Sequence, residues 1–160
     1  GPADKVLLTI LEIHQKHIYI QNGNSGIAKA MKNQLKFYHK TVIGMTDKDK
    51  KNLPPYFSDF EIISSPDNIF FKRKPETNQY LIFLCCPAIE NWLLDAAKSV
   101  NILPSDYDLP DNPKEMGKIT KRISISKNKK FNAFLRDIKK RKAPAFLYLH
   151  EIILKFYKNY

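Results

Sequence analysis

The sequence has little of what marks an exported or membrane protein. Two of its 160 residues are cysteines, the neighbours Cys85 and Cys86, and both lie within an apolar run. They have no other thiol to pair with, so neither a disulfide framework nor a cysteine-based zinc site is predicted. Every apolar run is interrupted by a charge within about ten residues, whereas a membrane span needs ~18 apolar residues in a row. Because the first residues also lack a signal pattern, we expect a cytoplasmic protein without membrane contact.

The sequence also lacks a Walker A motif, internal repeats and low-complexity segments. The first absence disfavours ATP hydrolysis by this chain, and the other two argue against a repeat architecture. With 43% hydrophobic residues, the chain is long enough to form a globular core.

Positive charge is concentrated in one segment. The chain has a net charge of +11, and residues 113–142 contain twelve basic but only two acidic residues, which gives this segment alone a charge of +10. Clustered lysines and arginines bind polyanions, because neutralised phosphates release their counterions. A solvated helical face would have the same composition, so charge alone leaves both interpretations open. The residues predicted to contact nucleic acid are Lys127, Lys129, Lys130, Arg136, Lys139, Lys140, Arg141 and Lys142.

Helical periodicity alternates with short apolar runs in the first two thirds of the chain. The pattern predicts helices over 4–15, 27–38 and 87–100, and strands over 17–21, 40–46, 60–63, 69–72 and 79–86. Beyond residue 113 it predicts helices only, over 114–123, 128–141 and 145–158.

Strands separated by helices predict an α/β fold with a mainly parallel sheet. We therefore expect an α/β domain over 1–100, a linker rich in proline and aspartate over 101–113, and a basic helical extension over 114–160.

Two acidic residues directly follow a predicted buried strand. Asp47 and Asp49 lie two residues apart at the carboxyl end of the strand over 40–46. Ligands of α/β sheets bind at such ends, and paired carboxylates repel each other unless a divalent cation such as Mg²⁺ neutralises them. Glu90, in the first turn of the helix after the strand over 79–86, is a further candidate ligand. Its alternative role is to stabilise the start of that helix by its charge.

The acidic pair occurs together with the turn Asn22-Gly23-x-x-Gly26 before a helix and with Gly1-Pro2-Ala3-Asp4 at the start of the first helix. In order and spacing, residues 1–95 resemble the Toprim domain, the metal-binding fold of topoisomerases, DnaG-type primases, small RNA-maturing nucleases and OLD-like nucleases. Gly1 and Asp4 match the glycine and aspartate of the family's first motif, and Asp47 and Asp49 match its Asp-x-Asp.

The resemblance implies that the family's first strand, with its acid/base glutamate, would precede residue 1. A fragment, a strand supplied by another polypeptide and a relic of the fold all stay open as explanations. Gly1-Pro2 is equally compatible with the remnant of a cleaved tag.

The resemblance also implies a function and partners. It predicts a Toprim-like nuclease that cleaves phosphodiesters of DNA or RNA with Mg²⁺ or Mn²⁺, in phage defence or nucleic-acid processing. The catalytic residues, which would also hold the metal, are Asp4, Asp47, Asp49 and Glu90. Expected partners are nucleic acid and, by similarity to OLD-like nucleases, an ATPase or another protein. The alternative is a non-catalytic module of the same fold that binds nucleic acid or regulates a partner.

Overall fold

The computed structural model describes residues 1–37, 40–47 and 53–157. The described part of the chain contains six α-helices and four β-strands. The helices are α1 (Pro2–Ile10), α2 (Gly23–Gln34), α3 (Ile89–Ser99), α4 (Pro113–Thr120), α5 (Lys129–Lys140) and α6 (Pro144–Tyr157). The strands are β1 (Val42–Asp47), β2 (Glu61–Ser64), β3 (Ile69–Arg73) and β4 (Gln79–Leu84).

The chain forms two compact units. The sheet unit is Gln21–Pro87, and the helical unit combines Gly1–Ile20 with Ala88–Tyr160. The helical unit contains both ends of the chain because α1 packs against α5 and against the 3-10 helix over Ile123–Lys127. The limits between the two units fall at residues 20/21 and 87/88, and the domain limits at residues 100 and 113 stay a prediction.

The sheet unit holds one mixed sheet with the strand order β1-β4-β3-β2. β1 and β4 pair in parallel, from Val42 opposite Gln79 to Asp47 opposite Leu84. The pairs β4–β3 and β3–β2 are antiparallel. The α/β class is thus confirmed, but the mainly parallel sheet is not. The chain between β2 and β3, and between β3 and β4, is too short for the crossover of a dozen or more residues that a parallel pair needs.

The prediction of a strand over 17–21 is wrong. A 3-10 helix covers Gln15–His17, and the residues after it form no strand. The alternation of apolar residues favoured a strand, but Tyr19 is 79% exposed and Ile20 is 48% exposed. A β-prone sequence forms a strand only where its side chains pack and its backbone finds a neighbouring strand.

In the sheet unit, α2 packs directly against β1. Ala28 and Met31 of α2 share a core with Leu81 and Phe83 of β4. Gly44 permits the close approach, because a Cβ at this position would lie 2.5 Å from Met31 Sδ. The helix begins at Gly23, four residues before its predicted start, so the glycine-rich turn forms its first turn.

In the helical unit, α5 provides the centre of the core. Phe131, Phe134, Leu135 and Ile138 of this helix are fully buried. α3 contributes Trp92, whose ring stacks on Phe146 of α6 with centroids 5.4 Å apart. The three C-terminal helices agree with the predicted ones to within a few residues, because each has a clear apolar face.

Three helices are followed, within two residues, by a residue that has positive φ and is not glycine. These residues are Glu12 after α1 (φ 68°), Asn101 after α3 (φ 57°) and Lys142 after α5 (φ 59°). In each case the backbone N–H groups that follow bond back to the last helical turn, which is the Schellman pattern. Glycine is the usual residue here, since other residues lose about 1–2 kcal/mol in this conformation.

Candidate nucleic-acid interface

The predicted acidic site divides between the two units. Asp47 is the last residue of β1, at the carboxyl end of the parallel pair with β4, as the sequence predicts. The hydroxyl of Thr46 donates a hydrogen bond to Asn24 Oδ1, so the first turn of α2 is tied to this strand end. Asp49 lies outside the described residues. Asp4 and Glu90 belong to the helical unit.

Asp4 and Glu90 both have partners in the helical unit. The carboxylate of Asp4, in the first turn of α1, accepts a hydrogen bond from the amino group of Gly1. Glu90 is 4% exposed and accepts a hydrogen bond from the hydroxyl of Thr120, at the end of α4. A Cβ on Gly117 would lie 3.8 Å from Glu90 Oε1, so the carboxylate fills the space beside α4. The hydrogen bond of Glu90 therefore joins α3 to α4.

Over residues 1–37, 40–47 and 53–157, no three histidine, cysteine or acidic side chains form a group that could hold a metal ion. The described residues alone do not fit Mg²⁺ or Mn²⁺, and a metal site at β1 would need Asp49. The convergence of Asp4, Asp47, Asp49 and Glu90 stays a prediction.

The hydrogen bond between Thr120 and Glu90 gives a testable prediction. Thr120→Val keeps the shape of the side chain but removes the hydrogen-bond donor from a buried carboxylate. We expect the free energy of unfolding to fall by about 1–3 kcal/mol, the cost of leaving a buried polar group unpaired. Urea denaturation measures this loss, and Thr9→Val on α1, which removes a partly buried hydroxyl bonded only to the Lys5 carbonyl, is the matched control. A loss no larger than that of the control would contradict the role.

The basic residues of α5 are arranged by the helical period. Lys129, Arg136 and Lys140 occupy positions i, i+7 and i+11, which lie on one face of a helix with 3.6 residues per turn. All three are exposed, and the buried residues of α5 lie on the opposite face. The row of cations extends over about 16 Å, at 1.5 Å per residue. That length equals about five base-pair steps along the axis of B-form DNA, at 3.4 Å each.

Three of the eight predicted contact residues have partners within the helical unit. Lys130 pairs with Asp108, and Lys139 Nζ lies 3.5 Å from a carboxylate oxygen of Glu12. Arg141 donates hydrogen bonds to backbone carbonyls at the end of α3. In the part of the chain that the structure describes, the other five cations have no carboxylate partner. They are Lys127, Lys129, Arg136, Lys140 and Lys142.

The few acidic residues near α5 do not neutralise its exposed face. Asp137, the acidic residue of α5, accepts a hydrogen bond from the hydroxyl of Tyr107. This hydrogen bond, followed by burial, raises the pKa of Tyr107. Asp108 is engaged with Lys130, whose hydrogen bond and charge lower the pKa of Asp108. Because α5 contains five basic residues and Asp137 as its one acidic residue, the helix is net positive.

A groove beside this face includes residues that the sequence analysis did not select. Its volume is about 420 Å³, and it lies where the C-terminal ends of α1 and α5 meet the first half of α6. Of its three apolar lining residues, Leu147 is 43% exposed, whereas Leu11 and Phe146 are each 1% exposed. The sequence contains part of the information that places these residues in the groove. Phe146 and His150 are four residues apart and therefore share one face of α6. Without knowledge of which helices pack together, that face could not be assigned to the basic segment.

Comparison of the chain with protein-family models, curated proteins and solved structures found no match. Within the described ranges, no helix is long and apolar enough to cross a membrane.

Proposed function

We propose that this protein binds nucleic acid through the exposed face of α5. One observation carries the proposal: Lys129, Arg136 and Lys140 form a row of exposed cations to which no carboxylate of the described chain is paired. Lys127 precedes the same helix and Lys142 follows it, so the row has a cation near each end. Phosphates at regular spacing are the ligand that such a row fits.

A helical face that only contacts solvent usually has a different distribution of charge. Solvated helical surfaces usually mix both signs of charge, and their i,i+4 pairs offset each other. Here the segment over 113–142 contains two acidic residues against twelve basic ones, and one of the two, Glu115, pairs with Lys118 at 2.8 Å. The remaining positive charge repels itself, which destabilises the folded chain unless an anion is bound.

The arrangement favours phosphate contacts over base recognition. Lysine dominates the face, and lysine binds phosphate as a point charge without the paired hydrogen bonds that read base edges. Binding is therefore expected to depend little on sequence and strongly on salt.

Fluorescence anisotropy tests the proposal. A labelled 20-nucleotide single strand and the matching duplex are titrated with the whole chain at 50 mM salt. We expect a Kd of about 10 µM or tighter for at least one of them, in line with non-specific binding by several cations. Polyglutamate of equal length, added as competitor, is expected to displace little. No binding at this salt concentration would refute the proposal. Displacement by polyglutamate that equals displacement by the unlabelled nucleic acid would also refute it.

A second candidate function is phosphodiester cleavage with a divalent cation. The observation that favours it is the position of Asp47 at the carboxyl end of β1, beside the parallel neighbour β4. Together with Asp49 it would provide hard oxygen ligands, and a bound Mg²⁺ would supply charge stabilisation for a reacting phosphate.

Plasmid nicking with and without Mg²⁺ tests this candidate. The Asp47→Asn and Asp49→Asn variants are compared with the unchanged chain, and Asp95→Asn, an exposed aspartate on α3, is the control. Loss of nicking in the first two variants alone would support a cleavage site at β1. Equal nicking in all four proteins would mean that a contaminant is responsible.

A further inference from the structure

The groove beside α5 collects cations from the end of that helix and from the turn that follows it. Arg136, Lys139 and Lys140 come from α5, and Lys142 comes from the turn. All four belong to the helical unit. In the part of the chain that the structure describes, the lining of the groove includes no aspartate or glutamate. The groove is therefore a concave surface of positive charge.

Three of these cations are exposed and have no carboxylate partner within the described ranges. They are Arg136, Lys140 and Lys142. Lys139 differs, because its Nζ lies 3.5 Å from a carboxylate oxygen of Glu12 and donates a hydrogen bond of 3.0 Å to a backbone carbonyl of α1. Glu12 therefore offsets Lys139, and three positive charges remain available to an anion.

The free cations of the groove repel one another. Arg136 and Lys140 are four residues apart on one face of α5, and like charges at this spacing destabilise a helix. The helix macrodipole favours cations in the last turn only, so it accounts for Lys140 but not for Arg136. Lys142 adds a third charge to the same concavity. A bound anion would relieve this repulsion.

The free cations are unevenly distributed along α5. The seven residues over 136–142 contain three of them, whereas the seven residues over 129–135 contain Lys129 and also Lys130, which is paired with Asp108. The chain then turns into α6, which begins at Pro144, so the row of cations ends in the groove. The strongest demand for negative charge therefore lies at one end of the row.

The size and charge of the groove indicate which phosphate it fits. A volume of about 420 Å³ is within the range of sites for small groups. A phosphodiester inside a strand has one negative charge, whereas a phosphomonoester has about two at neutral pH. In a strand that follows the row, a phosphomonoester occurs only at the end. The position of the groove and its charge thus point to the same group.

We propose that this groove binds the terminal phosphomonoester of a nucleic-acid strand whose backbone follows the exposed face of α5, with Arg136, Lys140 and Lys142 as the contacts. The protein then prefers strands with a phosphorylated end over strands with hydroxyl ends. This inference rests on the proposed function and specifies its substrate class.

Anisotropy titrations at 0.1 M salt test the proposal with a 12-nucleotide thymidine strand that has its dye on an internal base, so that both ends are free. The strand is prepared with hydroxyl ends, with a 5′-phosphate or with a 3′-phosphate. We expect at least one phosphorylated strand to bind about fivefold or more tightly than the hydroxyl strand, which is the gain from one further phosphate contact on a single strand.

Two variants that remove the same charge locate the preference. Lys142→Gln should lower the preference for the phosphorylated strand to less than about twofold, because it removes a cation of the groove. Lys127→Gln, before the other end of α5, should weaken binding of all three strands by a similar factor and keep the preference. Circular dichroism checks that both variants fold.

Inorganic phosphate, added at constant ionic strength, separates the end of a strand from a free anion. At millimolar concentration it should weaken binding of the phosphorylated strand and leave the hydroxyl strand unaffected. Full displacement of the phosphorylated strand by equimolar inorganic phosphate would mean a free-phosphate site and would overturn the assignment. Equal affinity for all three strands, or a preference that Lys142→Gln retains, would also overturn it. If the unchanged chain binds no strand, the proposed function itself fails.

Discussion

Simultaneous replacement of Lys127, Lys129, Arg136 and Lys140 by alanine is expected to lower affinity for single-stranded nucleic acid by roughly two to three orders of magnitude at 0.1 M salt. The estimate follows from counterion release, in which each lost phosphate contact on a single strand removes about 0.7 from the salt exponent. The four side chains are exposed and have no carboxylate partner in the described chain, so their loss should not unfold the protein. Anisotropy measures the affinity, and circular dichroism checks the fold.

The control must remove the same total charge elsewhere. Lys16, Lys29, Lys32 and Lys98 are exposed and lie outside the basic segment. Their replacement by alanine changes the net charge equally, and we expect it to lower affinity by less than about tenfold, through long-range attraction only. If both quadruple variants lose affinity to the same extent, binding follows net charge and the face of α5 has no special role.

Phe146→Ala is expected to lower the free energy of unfolding by about 3–5 kcal/mol. Phe146 is 1% exposed, and its ring stacks on Trp92 of α3 at an interplanar angle of 7°. Truncation removes buried apolar surface and leaves a cavity between α3 and α6 that neighbouring side chains fill only in part. Urea denaturation followed by the fluorescence of Trp92, the single tryptophan of the chain, measures the loss.

Leu147→Ala provides the comparison for this prediction. Leu147 is the next residue on α6 and is 43% exposed, so its truncation should cost less than about 1 kcal/mol. A similar loss in the two variants would mean that the stack of Phe146 on Trp92 does not hold α3 and α6 together.

Local patterns allowed much of the secondary structure to be predicted. β1 and β4 are continuous apolar runs, and such runs are typical of strands buried on both faces. The structure adds a local signal that the sequence analysis did not use: Asn112 and Asn128 precede α4 and α5 and cap them by accepting hydrogen bonds from the N–H groups of Glu115 and Phe131. These signals are local. The elements that they predict form in the folded chain because the tertiary packing favours the same helices and strands.

The errors came from features that depend on partners distant in sequence. The segment His-Ile-Tyr-Ile-Gln at 17–21 has high β-propensity, but no neighbouring strand pairs with it and it forms no strand. The direction of β3 follows from short connections, which favour antiparallel neighbours over a crossover. The hydrogen bond that Thr120 donates to Glu90, thirty residues away, is likewise a contact that no local pattern predicts.

The composition of the basic surface was predicted from the sequence, but its arrangement was not. The sequence showed eight candidate cations, and the structure separates those engaged with Asp108, Glu12 and the end of α3 from those without such partners. The groove could not be predicted, because its lining residues come from three helices. Asp47 is at the strand end that the sequence predicted for it.

The salt dependence of binding tests the central claim most directly. Affinity for a 20-nucleotide single strand is measured between 50 and 200 mM salt, for the unchanged chain and for the variant lacking Lys127, Lys129, Arg136 and Lys140. The account predicts a steep linear fall of log K with log salt for the unchanged chain, and a slope shallower by about 3 for the variant, since four phosphate contacts are lost. A flat salt dependence of the unchanged chain, or the same slope in both proteins, would contradict the assignment of phosphate binding to α5.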